Sequence, residues 1–379
     1  MKVAVAIDSM KGSLSSPEAG EAAALGIRRV FPDAQVSVHS IADGGEGTCE
    51  AILARRGGRR KSLSVCGPMG SPVTASYGIL PDGRTAVLEM AAAAGLPLVP
   101  PDGRDPLRAT TFGVGEMIRD AIGEGGRRFI VGIGGSATND GGLGMLQALG
   151  FRCVDVSGTE VPQGAIGLRN LVRIDASTAI PELSDCSFTV ACDVSNPLCG
   201  ETGCSAVFAP QKGATPRMVA DMDRWLSAYA ALVQGLDPSI DPRTPGAGAA
   251  GGLGFAFLAF LHATLRSGVR IVLEESGLEA DVADADIVVT GEGRLDAQTS
   301  LGKVPCGVAA LARKHGKPVI AFAGCVDGDA AVCEACGFNA CFPILRDVSS
   351  RAEAMRPERA RANLSAAVEQ AFRLIRTFR

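Results

Sequence analysis

Apolar residues in this chain come in short unbroken runs, each closed by a polar, glycine-rich turn and followed by a segment with helical spacing. Val3-Ala4-Val5-Ala6-Ile7 opens the series. It lacks apolar–polar alternation, which predicts a strand buried on both faces, as in a parallel sheet. The polar turn 8–15 follows, and Ser16-Pro17-Glu18 forms an N-cap and first-turn pattern for a helix through 22–27. Residues 36–41 repeat the strand, 42–48 the turn and 49–54 the helix. The same rhythm returns late in the chain, with a strand at 286–290, a turn at 291–300, a helix near 305–313 and a strand at 318–324. This repetition predicts βαβ units of a doubly wound sheet.

The middle of the chain reads differently. Residues 74–80 and 85–90 flank the turn Pro81-Asp82-Gly83-Arg84 and predict an antiparallel hairpin. Phe129-Ile130-Val131 predicts the end of a buried strand, Gly132-Ile133-Gly134-Gly135 a backbone turn, and 136–142 a run of small polar groups. Leu143, Leu146 and Leu149 then recur at helical spacing. Residues 188–192 predict another strand, ending in Asp193. The helix expected at 216–234 carries Met218, Met222, Trp225, Leu226, Tyr229 and Leu232 on one face, which makes the tryptophan a core residue. The simplest arrangement is α/β throughout: a discontinuous parallel-sheet domain from residues 1–64 and 282–379, with a mixed α/β domain, 65–281, inserted into it.

Composition supports many tight loops around close-packed sheets, since 48 of 379 residues are glycine, 21 are proline and only 4% are aromatic. A net charge of -4 provides no basic footprint for nucleic acid. The cationic cluster at 55–61 is read as the solvated end of a helix plus a loop. The uncharged stretch within 244–265 begins too glycine-dense for a membrane-spanning helix. The strand-like start carries no signal-peptide pattern, and the expected location is cytoplasmic. Among the twelve cysteines, Cys325, Cys333, Cys336 and Cys341 crowd one segment, but their outer spacings match no zinc finger; reduced thiols are expected.

The chemistry lies in carboxylates, lysine and glycine turns. His39, His262 and His315 are the only histidines and form no Ser-His-acid pattern. Strand, glycine turn and helix at 129–150 predict a cradle for phosphate or carboxylate, with peptide N–H groups and a helix N-terminus as donors. Asp8 and Lys11 stand at a strand exit, where open α/β sheets bind ligands. Asp193 stands at another, with access to a cation or a hydroxyl. The glycine run 246–254 is read two ways, as a second anion holder or as a close backbone crossing. Spacing carries this reading as far as a small-molecule α/β enzyme, with phosphoryl transfer the candidate reaction.

Six motifs take it further: D-S-M-K-G-S-L-S (8–15), A-D-G-G-E-G-T (42–48), G-G-S-A-T-N-D-G-G (134–142), A-C-D-V-S-N-P-L (191–198), G-A-G-A-A-G-G-L-G (246–254) and G-E-G-R-L-D-A-Q-T (291–299). In this order they resemble the bacterial type I glycerate kinase family across almost the whole chain. The resemblance implies a Rossmann-like domain and a mixed domain with substrate between them, ATP and Mg²⁺, and D-glycerate as acceptor. The expected product is 2-phosphoglycerate, with 3-phosphoglycerate the alternative, from a monomer or homodimer. It nominates Lys11, Asp43, Glu46, Gly134, Gly135, Ser136, Thr138, Asn139, Asp140, Asp193, Glu292, Arg294 and Asp296. Met10 stands where the family commonly has Phe. Asp193 or Asp296 would hold Mg²⁺ or act as base, while Lys11 and Arg294 would meet the phosphate and the substrate carboxylate.

Two other classes compete. A nicotinamide-dependent dehydrogenase lacks its compact glycine fingerprint here, and Asp43 is embedded in its own glycine turn. A non-catalytic ligand-binding protein of the same fold would bind glycerate or ATP without turnover.

Overall fold

A computed structural model describes residues 1–41, 45, 47–296, 299, 303–327 and 329–378. Asp43 and Glu46 of the predicted site lie outside the described residues. In chain order the strands are β1 (Lys2–Ile7), β2 (Gln35–Ser40), β3 (Arg59–Cys66), β4 (Pro72–Ile79), β5 (Thr85–Glu89), β6 (Arg128–Gly132), β7 (Arg152–Val154), β8 (Arg173–Asp175), β9 (Ser187–Ala191), β10 (Thr264–Arg266), β11 (Ile287–Leu295), β12 (Val319–Val326) and β13 (Ala340–Pro343). Packing divides the chain into two units, one of Met1–Asp43, Glu50–Arg56 and Val269–Arg379, the other of Gly44–Cys49 and Gly57–Gly268.

The first unit is a five-stranded sheet in the order β13-β12-β11-β1-β2, with every pair parallel. The unbroken apolar run of β1 has a direct cause. Val3, Val5 and Ile7 pack with Ile27, Leu364 and Phe372 on one face, while Ala4 and Ala6 pack with Val288, Val304 and Val308 on the other. The helices Ser16–Val30 and Pro357–Arg376 lie together on the first face, so close that a Cβ on Gly26 would come within 2.4 Å of the Ser365 carbonyl oxygen. Ser15, not Ser16, is the N-cap of the first helix, in a capping box with Glu18. Ser16 is buried instead, donating to the Ile7 carbonyl at 2.6 Å and accepting from the Ile41 N–H at 2.9 Å. It ties the ends of two neighbouring strands to the helix.

The second unit is a six-stranded mixed sheet in the order β10-β9-β6-β5-β4-β3. β3, β4 and β5 run antiparallel, and β5, β6, β9 and β10 run parallel. Its core gathers Tyr77, Leu88, Phe129, Val131, Phe188 and Val190 from the sheet with Leu226, Tyr229, Phe255 and Phe257 from the helices Pro216–Leu236 and Ala249–Leu261. Trp225 packs against this core.

Of the cationic cluster, Arg55 and Arg56 are the solvated end of helix Thr48–Arg56, as expected, but 59–61 are not a loop. Arg59, Arg60 and Lys61 begin β3, whose eight residues all pair with β4. Lys61 Nζ donates to Asp120 Oδ1 at 3.0 Å and Glu124 Oε1 at 2.7 Å, and Arg59 also pairs with Glu124. Helix Phe112–Gly123 and the residue after it neutralise the strand. That pairing also puts the crossing between units at residue 57, where sequence alone suggested 65. The return falls at 269 rather than 282, because the helices Gly268–Glu275 and Leu278–Asp284 feed the core of the first unit through Val269, Val272, Leu278 and Val282.

Candidate functional site

In the second unit, register brings Glu89, Gly132 and Ala191 side by side at the ends of β5, β6 and β9. The loops 133–142 and 192–198 therefore leave the same edge of the sheet, the carboxyl edge at which α/β proteins bind ligands. Asp193 is exposed there, its Oδ1 accepting from Ser267 Oγ at 2.9 Å and the Gly268 N–H at 3.0 Å. Gly134 and Gly135 form the exposed rim of the 133–142 loop, with Gly135 in the left-handed region at φ 76°. Beyond them the chain turns inward: Ser136 is 8% exposed, and Thr138, Asn139 and Asp140 are fully enclosed.

Asp140 has a different task from the one its motif suggested. One carboxylate oxygen accepts from Thr111 N–H and Thr111 Oγ1, both at 2.8 Å, and from Gly144 N–H at 3.2 Å. The other accepts from Gly142 N–H at 3.1 Å. Burial pushes this carboxyl up, and the four donors oppose that push. The N-terminal donors of helix Leu143–Ala148 are satisfied from within the protein, Leu143 N–H by the Asp140 carbonyl, Gly144 N–H by the Asp140 carboxylate and Met145 N–H by Thr111 Oγ1, rather than held open for a ligand. The predicted cradle narrows to the rim residues Gly134, Gly135 and Ser136.

The second glycine run resolves in favour of a close backbone crossing. A Cβ on Gly251, at φ 67°, would lie 2.1 Å from the Thr138 carbonyl oxygen, and the Gly251 carbonyl accepts from Gly141 N–H at 2.9 Å. Residues 250–252 are all left-handed, which lets one loop lie against the other.

Lys212 is the residue that sequence reasoning missed, as it sat in what reads as a polar loop. It is 2% exposed, and its Nζ donates to Ser136 Oγ at 2.7 Å and to the Thr138 carbonyl at 2.6 Å. Burial pushes its ammonium down to about 8. The available signal was the bracket of Pro210 and Gly213, which folds Lys212 into a tight turn ending at φ 95°.

In the first unit, β1 and β11 end side by side, with Ile7 opposite Gly291. The 8–15 loop passes over β11 so closely that a Cβ on Gly293 would stand 3.7 Å from the Lys11 nitrogen. Lys11 is exposed, and its charge favours ionisation of buried Glu292. Thr299 donates to Glu292 Oε1 at 2.6 Å while accepting from Asp296 N–H at 3.1 Å. Lys303, also missed from sequence, stands 3.9 Å from both Glu292 Oε2 and Asp296 Oδ1. Burial raises the Glu292 carboxyl; the Thr299 hydroxyl and Lys303 pull it back. Arg294 is exposed and partnered, at 2.9 Å from Asp327 Oδ2 and 3.4 Å from Asp296 Oδ2. Lys11, Glu292, Arg294 and Asp296 thus share one strand edge.

A family model described as the glycerate kinase family matches residues 3–376. The chain belongs to that family. Among relatives of this glycerate kinase family member, a protein of Escherichia coli (strain K12) named Glycerate 2-kinase is 48% identical over 94% of this chain and 93% of its own length. A Glycerate kinase of Bacillus subtilis (strain 168) is 49% identical over 91% and 90%. The solved structure of a putative glycerate kinase 2 from Salmonella typhimurium LT2 superposes with a TM-score of 0.87 at 46% identity, covering 100% of this chain and 98% of that one. The two α/β units are therefore the architecture of a kinase family.

The cysteine segment departs from expectation. Cys336 is joined to Cys306 in a disulfide where a reduced thiol was expected, whereas Cys333 and Cys341 are reduced thiols, as expected, with their Sγ atoms 2.7 Å apart. Cys325 is exposed on β12. Among the described residues no three His, Cys, Asp or Glu side chains are grouped to hold a metal ion, and no helix is long and apolar enough to cross a membrane.

Proposed function

We propose that the chain transfers the terminal phosphoryl group of ATP to the 2-hydroxyl of D-glycerate, releasing 2-phosphoglycerate and ADP. The observation that carries this reading is the likeness, over nearly the full length of both chains, to a protein named Glycerate 2-kinase. The chemistry of the carboxyl-edge loops agrees with it. Phosphoryl transfer asks a protein for cations, a positioned carboxylate and neutral donors more than for covalent chemistry.

The residues suit Mg²⁺. This ion binds through one or two carboxylates and completes its shell with water and substrate phosphates, so it needs no three-carboxylate cluster. Asp193 or Asp296 is the proposed ligand, and the bound ion would spread the charge of the transferring group. Lys11 and Arg294 are the proposed cations for the phosphates and the substrate carboxylate. Gly134, Gly135 and Ser136 offer neutral donors to an anionic oxygen, with Thr138, Asn139 and Asp140 shaping the turn from inside. Asp193 or Asp296 serves as the group that orients the acceptor hydroxyl and takes its proton late, since that hydroxyl does not ionise near neutral pH.

The test is to incubate purified protein with ATP, Mg²⁺ and D-glycerate, follow ADP formation with each omitted in turn, and assign the product by phosphorus NMR. A 2-phosphoglycerate resonance that requires all three supports the proposal. A 3-phosphoglycerate resonance overturns the choice of hydroxyl. Glycerate or ATP binding without any phosphorylated product replaces the kinase with a non-catalytic binding protein.

A further inference from the structure

Lys212 is a buried ammonium with no carboxylate partner among the described residues at ion-pair distance. Its surroundings are Ser136 Oγ and the Thr138 carbonyl, with the Cys204 thiol and the Asp140 carboxyl the titratable groups that act on it. Cys204 donates to the Leu198 carbonyl, and Asp140 is saturated by four backbone and hydroxyl donors, so neither neutralises the lysine by contact. Burying a charge is costly unless an opposite charge meets it. A neutral amide could hold the same loop without that cost. The turn it grips carries two further enclosed atoms without partners, Thr138 Oγ1 and Asn139 Oδ1, a density of unmet groups typical of functional sites.

The hydrogen-bond sense at Ser136 supplies the link to function. A hydroxyl has one proton to give and two lone pairs. Because Lys212 donates to Ser136 Oγ, the serine's own proton is left to point elsewhere. Ser136 is the least enclosed side chain of the run 136–140 and adjoins the exposed rim Gly134-Gly135. We propose that Lys212 is a positioning residue that makes Ser136 a dedicated donor to an anionic oxygen of the substrate, either the carboxylate of the hydroxy acid or a phosphate. This inference rests on the reading of the 134–140 turn as an anion site.

The experiment measures equilibrium binding of D-glycerate and, separately, of inorganic phosphate and ATP by titration calorimetry to the full chain and to Lys212→Met, Lys212→Arg, Ser136→Ala and the Met/Ala double variant. Trp225 fluorescence checks that each is folded. We expect Lys212→Met to weaken one ligand class at least about 30-fold and to leave the other within about threefold. Loss of D-glycerate identifies the carboxylate, and loss of phosphate and ATP identifies the phosphate. The double variant should bind no worse than Ser136→Ala, because both substitutions remove one donor. Wild-type affinity for that ligand should fall as pH rises through about 8, where burial places the ammonium, and Ser136→Ala should flatten the fall. Unchanged binding in folded Lys212→Met overturns the proposal, as do losses that add in the double variant or fall equally on every ligand. Should Lys212→Met not fold, a wild-type affinity flat from pH 7 to about 9.5 overturns it, and an Ser136→Ala-sensitive fall sustains it. Since the readout is binding, a chain that binds the anion through Lys212 but forms no product refutes the kinase reading alone.

Discussion

Asp140 offers the sharpest test of how the site loop is built, because motif and structure assign it different work. Replacing it with alanine strips the partner from Thr111 N–H, Thr111 Oγ1, Gly142 N–H and Gly144 N–H, all inside a dry core. Each buried donor left unmet costs about 1–3 kcal/mol, but the four share one carboxylate and relax together, so the sum is not additive. A net loss of about 3–5 kcal/mol is expected, the range for breaking a buried network. The amide in Asp140→Asn can turn its oxygen toward the three donors now on one carboxylate oxygen and expose only Gly142 N–H to its NH₂ group. That milder change should cost about 1–3 kcal/mol. Urea unfolding followed by Trp225, the single tryptophan and a neighbour of the same core, measures both. The alanine variant should melt on the order of 10 °C lower, given about 2–4 °C per kcal/mol for a unit of this size. Near-wild-type unfolding of Asp140→Ala combined with lost glycerate affinity would refute this account and return Asp140 to the ligand.

Asp193→Asn should behave oppositely: Asp193 is exposed and its partners Ser267 Oγ and Gly268 N–H can both still donate to an amide oxygen, so stability should stay within about 1 kcal/mol. Turnover with ATP, Mg²⁺ and D-glycerate should fall at least about 100-fold; near-normal turnover removes Asp193 from the mechanism. Glu292 predicts a pH effect on the first unit. Its carboxyl is raised in the folded protein, so the folded state holds a proton that the unfolded chain gives up, and stability is lost as pH climbs from the ordinary carboxylate range through the raised value. Glu292→Gln keeps the acceptor for Thr299 and has nothing to ionise, so its stability relative to wild type should grow from pH 4 to 8 in thermal melts; a constant difference would contradict the assignment.

Much of this protein was readable before folding was considered. The unbroken Val3–Ile7 run, the returning strand–turn–helix rhythm and the hairpin around Pro81–Arg84 determined an α/β chain with an inserted mixed segment, because strand burial on two faces and turn chemistry are local properties. The six motifs determined the family. Tertiary structure alone decided what the motif residues do. Ser16 reads as a cap but joins two strands, and Asp140 reads as a ligand contact but feeds donors from Thr111, twenty-nine positions away. Lys212 reads as loop surface yet is enclosed beneath Ser136, seventy-six positions earlier. Spacing along a chain encodes which side chains share a face, but burial and hydrogen-bond partners depend on contacts across long separations. Those appear only when the sheet registers its strand ends and the loops are forced together.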